Sequence, residues 1–324
     1  MNFTIIILPD TQHYTTNNTD TTYKSQVKWI IRNKEAKNIK HVIHLGDITQ
    51  HNLPNEWSIA DHAHGLLDNA NVPYSIIPGN HDSPGATDFR KTEAFNKYFG
   101  PHRFKDKSWY GGHMDDTNDN NYSFFSQDNL KFLVIALEFA PRRKALDWAN
   151  QIITTHRDHR VIIVTHCYQG NGGDHYDCSA TTKDGTSGWT IWRNLVSTNK
   201  NVFLVLSGHV NDSEYNMRLG ILSNPVHEIL TNYQSELKDA KQSFNRDMGE
   251  VEWLGKRHGN GWMRSLTFIP DSNLIHVETF TVIDGIDSLN ILDKSYGLKG
   301  AYSSNRQNKD HKYSFLYDMK GSNK

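Results

Sequence analysis

The sequence predicts an α/β protein organised on a largely parallel sheet, and two observations carry that expectation. Apolar, β-branched runs of strand length (Phe3 to Leu8, His41 to Leu45, Val72 to Pro78) alternate with segments of helical period. Each run stops in a polar cluster: Asp10-Thr11-Gln12-His13, then Gly46-Asp47-Ile48-Thr49-Gln50, then Gly79-Asn80-His81-Asp82. Strand–helix–strand alternation gathers such clusters at the C-terminal edge of the sheet, where open α/β sheets hold their ligands.

In chain order, Phe3 to Leu8 is the first strand, and a helix is expected over Tyr23 to Lys37, with Val27, Trp29, Ile30 and Ile31 on its apolar side. His41 to Leu45 is the second strand, Glu56 to Asn69 a helix, and Val72 to Pro78 the strand before Gly79. Phe89 to Phe99 reads as helical and Pro101 to Asn121 as a loop. Tyr122 to Phe125 and Lys131 to Ala136 form a hairpin across Gln127-Asp128-Asn129. A helix over Arg143 to His156 precedes the buried strand Val161 to Val164, which delivers Thr165-His166. The Gly-rich stretch Cys167 to Gly188 is either a mobile lid or disordered. A short helix over Trp189 to Thr198 and the strand Val202 to Leu206 lead into Ser207-Gly208-His209-Val210-Asn211. Beyond this the pattern turns antiparallel, with Glu228 to Asn232, Trp262 to Ile269, Leu274 to Phe280 and a late edge strand at Tyr313 to Tyr317. Residues 235–258 read as a charged surface insertion in a unit spanning 1–283, and 284–324 as an extension packed on it.

The totals bound the function. Hydrophobic residues are 36% and charged residues 22% of 324, enough for a packed core. A net charge of −1 and the lack of a Lys/Arg-dense stretch give no field favouring nucleic acid. No apolar stretch approaches the ~20 residues of a membrane helix. No obligate protein partner is evident. The start has no basic, signal-like segment, so a cytoplasmic location is expected, with a mature exported form as the alternative. Cys167 and Cys178 are expected as free thiols, or as one loop disulfide if the protein is exported.

Five strand ends thus present Asp10 with Gln12, Asp47, Asn80 with His81, His166, and His209 with Asn211. Carboxylate oxygen and imidazole nitrogen suit divalent first-row metals, and the absence of a thiolate set argues against a structural zinc knot. In order and composition, Asp10-Thr11-Gln12, Gly46-Asp47, Gly79-Asn80-His81-Asp82, Thr165-His166 and Gly208-His209-Val210-Asn211 resemble the calcineurin-like metallophosphoesterases. The resemblance spans residues 1 to about 212, and Asn232-Tyr233-Gln234 and Gly259-Asn260-Gly261-Trp262 look similar to segments of bacterial members.

The resemblance implies a four-layer α-β-β-α sandwich of two mixed sheets flanked by helices. It implies two divalent ions (Mn, Fe or Zn) and hydrolysis of a phosphate mono- or diester by a hydroxide held between them. Carried over by position, Asp47 bridges both ions; Asp10, Gln12 and Asn211 serve the first; Asn80, His166 and His209 complete the second. His81 stays off the metals and protonates the leaving oxygen or hydrogen-bonds the phosphate, and Asp82 orients or charges that imidazole. Gln12 and Asn211 depart from the pattern, since many members carry His at both places. Neutral amides are poorer ligands, so the first metal is expected to bind weakly. His13 and His51 lie close enough in sequence to substitute, although ordinary surface histidines are the simpler reading. Gln50 is equally a support for the site or a plain turn residue.

Around the site, Arg142 and Arg143 could grip a substrate phosphate, against the plainer view of solvated charges at a helix start. Tyr168, His175, Tyr176 and Trp189 either form a substrate-selecting lid or pack the loop down, and Tyr233 either lines the pocket or fills the core. Two other functions fit the same residues: a nuclease, which would need a basic groove, and a metal-stabilised binding module without catalysis.

Overall fold

The apolar runs become central strands because they can bury both faces at once. A computed structural model describes residues 1–17, 21–85, 88–234, 261–282 and 311–319. The first half runs β1 (Phe3–Leu8), α1 (Gln12–Thr15), α2 (Thr22–Asn33), β2 (Ile39–His44), α3 (Pro54–Asn69) and β3 (Tyr74–Ser75). It continues through a 3-10 turn at Asn80–Asp82, α4 (Glu93–Phe99), α5 (Pro101–Phe104), β4 (Tyr110–His113), β5 (Asn121–Gln127) and β6 (Leu130–Leu137). The second half holds α6 (Arg143–Thr155), β7 (Arg160–Thr165), α7 (Gly188–Ile191), β8 (Val202–Ser207), β9 (Ser213–Leu219), β10 (Pro225–Thr231), β11 (Trp262–Ile269), β12 (Leu274–Thr281) and β13 (Lys312–Leu316).

These strands form two mixed sheets, ordered β13-β12-β11-β1-β2-β3 and β4-β5-β6-β7-β8-β10-β9. Side chains alternate across each strand, so every central strand feeds two cores. From β1, Phe3, Ile5 and Ile7 meet Val134, Ala136, Ile162 and Leu206 between the sheets. Its Ile6 and Leu8 face the other way, into a cluster with Val27, Trp57, Ala60 and Leu67 of α2 and α3. On the second sheet, Leu133, Ile135 and Ile163 turn outward against Leu146 and Ile153 of α6 and Ile191 of α7. The result is the four-layer sandwich of two mixed sheets between helices.

The structure departs from the sequence expectations in several places. The stretch 101–121, expected as a loop, contains α5 and β4, whose Gly111 and Gly112 lie against the Tyr122 ring. Strand β9 was not expected at all. It is an edge strand with polar, mostly half-exposed residues, pairing antiparallel with β10. Strand β10, expected in an antiparallel region, also runs parallel to β8. The proposed insertion 235–258 lies outside the described residues. Of the segment 284–324, residues 311–319 are described, and β13 pairs with β12 in the first sheet. Among the described residues, no helix is long and apolar enough to cross a membrane.

The stretch 167–188 is tied down. Cys167 and Cys178 form a disulfide, which overturns the expectation of free thiols. Buried Glu228 of β10 accepts from the Tyr168 hydroxyl (2.5 Å), His175 Nε2 (2.9 Å) and Arg218 Nε (2.9 Å). Gly185 bridges back to Arg142, and the Gly188 amide donates to the Tyr176 carbonyl.

Candidate metal centre

The ends of β1, β2, β7 and β8, with the turn after β3, converge at one edge of the sandwich. Donor atoms of Asp47, His166 and His209 all lie within 4.8 Å of one another. His166 Nε2 is 3.1 Å from Asp47 Oδ2 and 3.1 Å from Asn80 Oδ1, and His209 Nδ1 is 2.8 Å from that same Asn80 oxygen. Backbone shape contributes to this convergence. Asp47 and His209 both adopt positive φ (50° and 66°), an uncommon conformation for non-glycine residues that concentrates at functional sites. Gly79 lets the backbone pass directly against Asp47, where any Cβ would meet its carboxylate, and Gly208 does the same beside Asp10.

Each ligand candidate is aimed by a second group. His166 Nδ1 donates to the Leu45 carbonyl (2.8 Å), turning Nε2 toward the cluster. Asn232 Nδ2 donates to Asp10 Oδ2 (2.7 Å) and to the His209 carbonyl (3.1 Å), holding two strand ends in register. Gln12 Nε2 donates to Gln50 Oε1 (2.6 Å). Behind the site, the Gly46 amide donates to His44 Nδ1 (3.2 Å), so His44 Nε2 carries the proton it offers to Thr11 Oγ1 (2.9 Å).

The electrostatics are those of a cation site. Burial, reinforced by Asp47 and opposed by His166, pushes the Asp10 carboxyl up to about 8. Burial also opposes ionisation of Asp47, but His166 and the His81 amide overcome it and lower Asp47 to about 2. Burial disfavours the charged His166 too, yet Asp47 and Asp10 raise it to about 9. His209 is lowered to about 4 by burial and by His166. Two buried oxygens, Asp10 Oδ1 and Gln12 Oε1, have no hydrogen-bond partner. Orphaned buried acceptors beside clustered imidazoles fit a divalent cation. Asn211 is half-buried two residues beyond His209.

The roles expected of other residues change. Asp82 does not touch His81. Its carboxylate accepts from the amides of Ile48 (3.0 Å), Thr49 (2.8 Å) and Gly79 (2.8 Å) and from Thr49 Oγ1 (2.9 Å), so it ties the Asp47 turn to the Asn80 turn. The group that orients His81 is the Gln50 carbonyl, which accepts from Nδ1 at 2.9 Å and so leaves Nε2 as the nitrogen outside that bond. Arg142 is held by Glu138, through Nε (2.8 Å) and Nη2 (2.9 Å), and Arg143 is exposed and paired with Asp147. Tyr168 is buried on Glu228, and the Tyr233 hydroxyl lies buried among Ser213, Thr279 and Arg264. These contacts match the alternatives of a solvated charge at the helix start for Arg143 and of packing for Tyr168 and Tyr233, while Arg142 is engaged by Glu138. Tyr176 is the lid candidate that stands beside the site, 44% exposed with its ring 6.1 Å from His209. His51 is paired with Glu56 (2.8 Å). Asn232 belongs to the site though it lies beyond the five strand-end motifs; the signal for it was Asn232-Tyr233-Gln234.

A carboxylate–imidazole–amide cluster at the C-terminal edge of facing sheets is a divalent-metal centre in its donor chemistry. The chain belongs to the calcineurin-like phosphoesterase family, whose model matches residues 3–212. It is 28% identical over 328 aligned residues to the uncharacterized protein YvnB of Bacillus subtilis, covering 98% of this chain and 22% of that protein. The chain therefore spans about a fifth of the length of this relative. In fold it is similar to a dimetal phosphatase from Danio rerio (TM-score 0.53, 12% identity, 87% of this chain and 96% of that one). It is also similar to the yellow lupin purple acid phosphatase PPD1 (TM-score 0.54, 13% identity, 88% of this chain and 52% of that one). The family implies divalent metal ions.

Proposed function

We propose that this chain is a metal-dependent phosphoesterase hydrolysing phosphate mono- or diesters at the Asp47–His166–His209 cluster. The observation that carries this reading is the cluster itself, with the partnerless Asp10 Oδ1 on one side and His81 on the other. Asp47 would bridge two ions, Asp10 and Gln12 would hold one with Asn211 near it, and Asn80, His166 and His209 would hold the other. When bound, such ions polarise phosphoryl oxygens and lower the pKa of water toward neutrality.

The protein's own groups do the rest. The Leu45 carbonyl and Asn232 keep His166 and Asp10 aimed inward. The Gln50 carbonyl fixes the proton of His81 on Nδ1, so Nε2 is the atom that hydrogen-bonds the phosphate or, protonated, supplies the leaving oxygen. No Ser or Cys nucleophile is needed, and both cysteines are in the disulfide. That disulfide also favours an oxidising compartment over the cytoplasm.

The test is hydrolysis of bis(4-nitrophenyl) phosphate by purified chain with and without manganese, alongside metal analysis. Asp47→Asn should abolish hydrolysis and metal retention together. An active Asp47→Asn protein, or full activity in excess chelator, would refute the reading.

A further inference from the structure

A cavity of about 570 Å³ opens beside His81, with Asn80 and His81 as its inner wall and Leu53, Pro84 and Phe89 among its apolar lining. It borders the metal cluster through Asn80, whose Oδ1 lies 3.1 Å from His166 and 2.8 Å from His209. The Phe89 ring extends the same wall. It packs edge-on against Phe139 at 5.0 Å, and Phe139 in turn lies 5.8 Å from the His166 ring and 5.4 Å from the His209 ring.

The charge of the cavity is as informative as its shape. Among the described residues no Lys or Arg lines it. Arg90, next to Phe89 in sequence, is turned to the carbonyls of Phe139 (2.8 Å) and Ala140 (2.8 Å) and to Asp184 (3.1 Å). Among the described residues, a second phosphate or a carboxylate there would find no guanidinium or ammonium group, only the imidazoles of His81 and of His51, which is paired with Glu56. Leu53 is 47% exposed and Phe89 only partly buried, so both present apolar surface at the cavity.

We propose that this cavity binds the leaving alcohol of the ester, and that the alcohol is uncharged with a flat apolar face, such as an aryl alcohol. The assignment rests on the phosphoesterase reading and deepens it. Phosphate oxygens would lie at the metal cluster, the ester oxygen would point past His81 Nε2, and the ring would lie against Phe89 and Leu53. Phe89 and Leu53 are then the residues that set substrate preference.

The experiment is calorimetric titration of the manganese-loaded chain with two non-hydrolysable probes, phenylphosphonate and methylphosphonate. Wild type should bind phenylphosphonate about tenfold more tightly, since the ring buries apolar surface that the methyl group lacks. Phe89→Ala should cut this preference about three- to tenfold, the scale of one lost aromatic contact. Phe89 also packs on Phe139, so Leu53→Ala, an exposed change that keeps the backbone of the α3 start, is the second variant and should cut the preference as well. Equal binding of the two probes by wild type, or an unchanged preference in both variants, overturns the proposal while leaving the phosphoesterase reading standing. Tighter binding of phosphonoacetate than of phenylphosphonate also overturns it, because the cavity would then favour charge. If no phosphonate binds, the phosphoesterase reading fails and the proposal fails with it.

Discussion

Asp82 offers the sharpest test of how the site is built. A carboxylate next to His81 in sequence invites the view that it tunes that imidazole, whereas the structure gives it three backbone amides and the Thr49 hydroxyl instead. Burial and the charge of Asp47 push its carboxyl up to about 6, and those three N–H donors oppose them. Replacing Asp82 with Ala would leave the amides of Ile48, Thr49 and Gly79 buried without acceptors. At about 1–3 kcal/mol for each orphaned group, and allowing for non-additivity, the cost is about 3–5 kcal/mol. Asp82→Asn keeps the shape but turns an NH₂ toward an N–H donor, for a loss of about 2–3 kcal/mol. Urea unfolding of chelator-treated protein measures both without interference from metal. If Asp82 instead served His81, Asp82→Asn would unfold like wild type and only the pH profile of hydrolysis would move. Unfolding free energies within about 0.5 kcal/mol of wild type for both variants would refute the structural role.

Three further outcomes are expected. His41 and His44 are fully buried and lowered by burial from 6.5 to about 3, so their neutral forms contribute stability that is present above pH 6.5 and is lost as pH falls toward 3. At about 1.4 kcal/mol per pH unit, the metal-free protein should lose about 2 kcal/mol per histidine between pH 6.5 and 5; urea unfolding at several pH values measures this, and His41→Gln should flatten the dependence. Asn232→Ala should release Asp10 and lower metal affinity about 10- to 100-fold, as loss of a ligand-orienting partner does, read by equilibrium dialysis against manganese. Gln12→His should raise the metal content retained after dialysis, because imidazole is a better ligand than an amide for a transition metal; unchanged content would mean that Gln12 is not a ligand position.

The main strands were legible because buried parallel strands are nearly continuous apolar runs, and β1, β6, β7 and β8 all have that character. Strand β9, Ser-Glu-Tyr-Asn-Met-Arg-Leu, was not legible, since an edge strand exposed on one side has no such run and is formed by pairing with β10. The convergence of Asp47, His166 and His209 was legible as a set of strand ends, because parallel topology sends them to one edge. What Asp82, Arg142, Tyr168 and Tyr233 do was not, because a side chain's partner depends on which distant segment packs beside it. Glu138 claims Arg142, and Glu228, 60 positions downstream, claims Tyr168. The disulfide was legible only as the alternative to two free thiols: Cys167 and Cys178 are separated by 11 positions, and the fold of the intervening loop brings their sulfurs together.

The centre is assembled against local preference at nearly every residue, and this separates it from a structural polar cluster. Asp47 and His209 sit at positive φ, two carboxylates lie within one buried region, and Asp10 Oδ1 and Gln12 Oε1 are buried without partners. Each of these costs stability. A structural cluster would relieve them, as the buried Glu228 group does by meeting every oxygen with a donor. With Nδ1 on the Leu45 carbonyl, His166 Nε2 faces Asp47 Oδ2 and Asn80 Oδ1, which leaves Asp10 Oδ1 and Gln12 Oε1 unserved. A divalent cation would satisfy those oxygens and offset the charge gathered there. Such a site is tolerated where activity, rather than stability, keeps it.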